Sequence, residues 1–173
     1  MNTNSLYLGI IEVFIGLLFG ILLCFVVFWL MKRLFTDKLD VKFDNLAFGI
    51  LIGFVLLSVA EMVDASLHPA MDYTRRLINM GVPISELITK ACLIIFCYFL
   101  SSTIVSMLII FLSFSLFSWL TVGLNEFEEI KNKNIAVAII SGVIMYVITR
   151  FIAGGMELVF QSFIPYPEMP RVF

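Results

Sequence analysis

An apolar run of about 18 or more residues has few places to go except across a bilayer as a helix, since only there does it satisfy its own backbone. This chain of 173 residues is built from such runs. The first extends from Leu8 to Met31, carries only Glu12 as a charge, and stops at Lys32-Arg33. With 61% hydrophobic residues and 14% charged, the chain lies well outside the soluble range of roughly 45–50% apolar and about 25% charged. Its mean hydropathy is +1.07. A net charge of -2 leaves no basic excess to hold nucleic acid, so that class of partner is excluded.

The runs are organised by a repetition. Asn45 to Gly53 reads N-L-A-F-G-I-L-I-G, and Asn134 to Gly142 reads N-I-A-V-A-I-I-S-G. A shift of 89 positions lays one on the other without a gap, and the register continues upstream: Lys42 on Lys131, Asp40 on Glu129, Phe28 on Phe117, Phe25 on Phe114. A doubled unit of helix, short charged loop and Asn-started helix is the simplest reading.

The expected fold class is therefore an all-α membrane protein with four transmembrane helices from a tandem two-helix repeat. The first unit covers residues 1–68, with spans at about 8–31 and 45–66. A polar connection occupies 69–90, where Pro69 can start a short surface helix, Gly81 can end it and Pro83 forbids continuation. The second unit covers 91–164, with spans at about 91–120, entered from near Ile84, and 134–160; a Pro-rich tail fills 165–173. The first residues carry no basic segment, so a cleavable signal peptide is not expected. Cys24, Cys92 and Cys97 all lie within apolar runs without metal-binding spacing, and read as small hydrophobes.

Asn45 and Asn134 are expected to be structural caps, each accepting from the free N–H groups of the helix it starts. On that reading Asp or Ser should be tolerated at Asn45. Close-packing seams are expected at Gly16-x-x-x-Gly20, Gly49-x-x-x-Gly53 and Ala138-x-x-x-Gly142, where small residues let helices approach.

The charges near or within the membrane are Glu12, Glu61, Asp64, Arg150 and Glu157. Glu61, Asp64 and His68 fall on one helix face, a spacing that suits a divalent cation, proton passage, or simply a helix end emerging into water. Arg150 lies about 24 Å along its helix from Asn134, deep in a core of about 30 Å. Its equivalent in the first unit is Glu61, and opposite charges at equal depth invite pairing. The alternative is that Arg150 reaches the headgroups beside Glu157.

The pattern acidic-x-x-acidic-apolar-Lys-x-x-Asn-apolar-Ala, as in Glu126 to Ala136, resembles the YjfL-type bacterial inner-membrane proteins, a family known as a domain of unknown function. The resemblance runs from about Gly9 to Glu157 and implies a four-helix protein of the bacterial inner membrane. It carries no catalytic residues with it.

Enzyme motifs are absent: there is no phosphate-binding glycine loop, no nucleophile elbow and a single His. No enzyme activity, cofactor or metal is expected. Basic residues favour cytoplasmic repeat loops, through Lys32, Arg33, Lys38, Lys42, Lys131 and Lys133, against Arg75, Arg76, Lys90 and Arg171 opposite, with both termini outside. The partners expected are the lipid bilayer, a second copy in a homo-oligomer and a membrane or envelope protein. Two function classes remain. One is a structural, accessory or envelope-sensing protein. The other is a small channel or transporter with a polar path along Glu12, Glu61, Arg150 and the third-helix hydroxyls of Ser101, Ser102, Thr103, Ser106, Ser113 and Ser115.

Overall fold

The computed structural model describes residues 3–33, 44–121 and 125–164, with side chains from Val13 onward except that of Ile84. The Glu12 side chain, residues 34–43, residues 122–124 and residues 165–173 lie outside the described residues. Among the described residues the chain forms five helices: α1 (Thr3–Met31), α2 (Leu46–Asn79), α3 (Ile84–Leu120), the short α4 (Glu126–Lys131) and α5 (Ile135–Ser162). No strand occurs among the described residues. All but α4 are long and apolar enough to cross a membrane.

α2 is the organising helix. It packs most extensively against α5, next against α3, and less against α1. Its buried positions recur at helical spacing, through Phe48, Leu51, Ile52, Val55, Val59, Met62, Val63 and Ser66. Side chains three and four apart share a face, so these form one broad stripe that neighbouring helices cover. α1 adds Leu23, Val27 and Met31 to the same core, while its Phe19 ring lies 4.4 Å from that of Phe99 on α3.

The expected break after Ser66 does not occur, nor does a separate surface helix within 69–90. α2 continues through Pro69 to Asn79 as one helix of 34 residues, roughly 50 Å long and so longer than the apolar core of a bilayer. Proline inside a helix costs about 3 kcal/mol through one lost bond and a ring clash. Tertiary packing offsets that cost here. Pro69 and Ala70 are buried, with Ala70 against Ala91 and Ile95 of α3. One and two turns on, Tyr73 and Leu77 pack with Ile164 from the end of α5. The punctuation does act at Gly81, whose φ of +72° turns the chain, and α3 begins directly after Pro83. α2 and α3 thus form a long antiparallel hairpin, and Tyr98 Oη donates to the Phe160 carbonyl at 2.8 Å to tie α5 onto it.

The segment at 125–133, read as a loop, contains α4. Asn125 Oδ1 accepts from the amide of Glu128 at 3.4 Å, a cap with an acidic residue at the third position. The helix closes where Lys133 takes φ +65° and the Asn134 amide bonds to the Glu129 carbonyl at 2.9 Å.

Candidate functional site

Helices α2 and α5 start at the same end of the bundle and lie side by side. Asn45 Oδ1 accepts from the amides of Ala47 at 3.0 Å and Phe48 at 3.3 Å. Asn134 Oδ1 accepts from the amide of Val137 at 3.3 Å. Each asparagine also uses the other half of its amide. Asn45 Nδ2 donates to the carbonyls of Ile130 at 2.7 Å and Lys131 at 3.2 Å, where α4 runs out of internal partners. Asn134 Nδ2 donates to Glu129 Oε2 at 2.7 Å. The geometry argues against Asp at Asn45: a carboxylate there would face two carbonyl oxygens with nothing to donate.

Beside these caps sits a buried carboxylate that the sequence reading passed over. Glu126 is 1% exposed and accepts from Ser118 Oγ at 2.6 Å and from Thr121 Oγ1. Burial pushes its pKa up, but the two hydroxyls and a backbone amide outweigh burial and hold the carboxyl below its usual range. The signal for it lay in an acidic residue directly after a cap position, with hydroxyl residues five and eight positions earlier.

Of the small-residue seams, one is filled. A methyl group at Gly142 would overlap the Phe54 ring and come within 2.9 Å of Phe54 Cβ, so Phe54 of α2 lies directly on the α5 backbone. Ala138, one turn before, is fully buried. Gly16, Gly20, Gly49 and Gly53 have no such neighbour within 4 Å, so within one chain they are not close-packing positions. The reason is placement. Gly16, Gly20 and Gly53 line an open apolar groove between α1 and α2, with Phe19, Leu23 and Ala60, and Asp64 also lines it.

Further along the seam, Arg150 Nη1 is hydrogen-bonded to Glu61 Oε1. Each residue stands 16 positions after its capping asparagine, roughly 24 Å along the helix. The Glu61 side chain is 24% exposed and that of Arg150 66%, so the guanidinium lies at the rim of the seam. Glu157 is exposed farther along α5. Asp64 and His68 are also exposed, and His68 Nδ1 sits 3.8 Å from Asp64 Oδ2. With Glu61 committed to Arg150, the three residues make no common site. No group of three His, Cys, Asp or Glu residues among those described could hold a metal ion.

On α3 the hydroxyls turn inward to their own helix. Ser101, Ser102, Thr103, Ser106, Ser113 and Ser115 each donate to a carbonyl three or four residues earlier, at 2.6 to 3.1 Å.

Four helices long and apolar enough to cross a membrane, two of them tied by the Glu61–Arg150 ion pair, define a multi-pass membrane protein. Residues 70–160 match the family model described as Domain of Unknown Function (DUF350), and the chain belongs to that family. The match begins inside α2 and covers α3, α4 and most of α5, and the whole of the first unit, residues 1–68, lies outside it. No curated protein and no solved structure matches the chain.

Proposed function

We propose that this is a structural or accessory protein of the bacterial inner membrane, acting as a homo-oligomer and without catalytic activity of its own. The loops at 32–44 and 125–133 face the cytoplasm and both termini lie outside, following the distribution of basic residues. An envelope-sensing or organising role fits such a protein, with a membrane or envelope protein as a further partner.

One observation carries the oligomer. Helices α2 and α5 carry equivalent positions 89 residues apart, yet a face that is covered on α2 is bare on α5. Ala47, Leu51 and Met62 are buried, at no more than 1% exposure. Their counterparts Ala136, Ile140 and Phe151 are exposed, Phe151 by 85%. α3 packs against α2, whereas its counterpart α1 lies against α2 and α3 and leaves the matching side of α5 bare. A helix from a second copy on α5 would complete the arrangement, and the unfilled glycines at 16, 20, 49 and 53 supply surfaces for close approach.

The channel or transporter reading draws support from the number of hydroxyls on α3. Against it stands their geometry, since each donates to its own helix rather than into a shared path.

The test is the mass of the particle in lipid nanodiscs, combined with disulfide trapping of Phe151→Cys in a background lacking the native cysteines. A dimer or larger particle that cross-links through position 151 supports the proposal. A monomer at every concentration would remove the oligomer. A continuous aqueous pore through the assembly would move the reading to a channel. Labelling of a cysteine at position 129 from outside intact cells would reverse the orientation.

A further inference from the structure

Eight Ser and Thr side chains are buried among the described residues, and six of them donate to a carbonyl of their own helix. The other two are Ser58, fully buried on α2, and Thr149, 1% exposed on α5, and neither hydroxyl has a hydrogen-bond partner. A buried hydroxyl without a partner gives up its hydration and gains no bond in return, so two on one seam call for an explanation.

Both face the same seam. Ser58 comes four residues after Phe54, which lies on Gly142 of α5, and three before Glu61, which is bonded to Arg150 of α5. Residues three and four apart share a helix face, so Ser58 sits on the face of α2 that touches α5. Thr149 comes seven residues after Gly142, about two turns, and four before the buried Ala153. It therefore lies on the stripe of α5 that touches α2. In height, Ser58 is 13 positions and Thr149 15 positions beyond its capping asparagine, about 3 Å apart along nearly parallel helices. The two observed contacts, Phe54 on Gly142 and Glu61 with Arg150, bracket them from either side.

We infer that Ser58, Thr149 and the Glu61 carboxylate form a binding site for one internal water molecule in the α2–α5 seam, directly beneath the ion pair. A buried water makes about three hydrogen bonds, and this set supplies two hydroxyls and one carboxylate oxygen. Arg150 bonds to Oε1 of Glu61, which leaves Oε2 for the water. The charge balance selects water over a cation, because the guanidinium next to Thr149 already neutralises Glu61. The water would in turn hydrate an ion pair that the bilayer would otherwise leave dry on its inner side.

A double-substitution cycle in the full-length protein in nanodiscs tests the site, using Ser58→Ala, Thr149→Val and Glu61→Gln with Tm as the readout. Each hydroxyl removal should lower Tm by about 2–4 °C, the shift that one hydrogen bond makes in a chain of this size. Ser58→Ala with Thr149→Val should lose clearly less than the sum, because the first change already releases the water. Each should also be less than additive with Glu61→Gln, the third partner. Single changes that leave Tm unmoved or raise it overturn the site, as do strictly additive losses. Coupling between Ser58 and Thr149 alone, with Glu61→Gln additive to both, also overturns it, in favour of a direct hydroxyl–hydroxyl bond. A density map at water-resolving resolution that shows a dry seam at this level overturns it independently.

Discussion

Glu61 and Arg150 stand 89 residues apart in the chain and are bonded to each other across the seam of α2 and α5, each 16 residues past the asparagine that starts its helix. An unpaired charge costs about 2.5–3.5 kcal/mol at the bilayer centre and less toward its edge, so each partner relieves part of the other's cost. Glu61→Arg is expected to lower expression and Tm sharply, because it sets two cations side by side. Adding Arg150→Glu should restore part of the loss. Rescue through Glu157→Arg instead, read by the same thermal unfolding, would show that Arg150 has its partner on α5.

Asn45 has two tasks and so has no good substitute. Asn45→Ala removes a cap worth about 0.5–2 kcal/mol and also the donors to Ile130 and Lys131. Asn45→Ser can keep the cap but cannot reach both carbonyls, and Asn45→Asp repels them. The expected order of stability is Asn, then Ser, then Asp and Ala together, read from detergent unfolding curves. Equal stability of Asn45→Asp and the parent protein would mean that the bonds to α4 contribute nothing.

Gly142 and Gly53 occupy equivalent sequence positions but should respond differently. Gly142→Leu forces Phe54 off the α5 backbone and is expected to cost about 1–3 kcal/mol within the single chain. Gly53→Leu points into the open groove beside α1, so the monomer should keep its stability. Its effect should appear only in particle mass, and only if a second copy approaches through that groove. Comparing Tm with mass photometry for the two variants separates these outcomes.

Glu126 gives the α3–α4 junction a dependence on acid. Its carboxyl is held below the usual range in the folded protein, so its contribution is present above the unfolded pKa. That contribution is lost as pH falls through the depressed folded value, when the hydroxyls of Ser118 and Thr121 no longer face a carboxylate. Glu126→Gln should destabilise the protein at pH 7 and flatten its loss of stability between about pH 5 and the acid limit. An unchanged acid limb in Glu126→Gln, measured by Tm against pH, would place that sensitivity elsewhere.

Much of this architecture follows from local sequence, because its causes are local. An apolar run long enough to span a bilayer can be little other than a helix, and an asparagine before such a run meets orphan amides wherever the chain goes. The depth of Glu61 and Arg150 follows from the same counting, since rise per residue is a property of the helix alone. What counting could not supply was which faces meet. Pro69 reads as a break in isolation, and only the packing of Ala70, Tyr73 and Leu77 against α3 and the end of α5 keeps α2 continuous past it. Gly53 and Gly142 occupy equivalent sequence positions, yet Phe54 lies on one and a groove opens beside the other, because α5 packs closely on α2 while α1 leaves an open groove along it. The second bond of Asn45 reaches a carbonyl 85 residues away, and the partnerless hydroxyls of Ser58 and Thr149 emerge only when two helices are laid together. Periodicity, caps and depth belong to a single helix and are written in its residues; pairing across a seam is a relation between helices, and only the tertiary structure decides it.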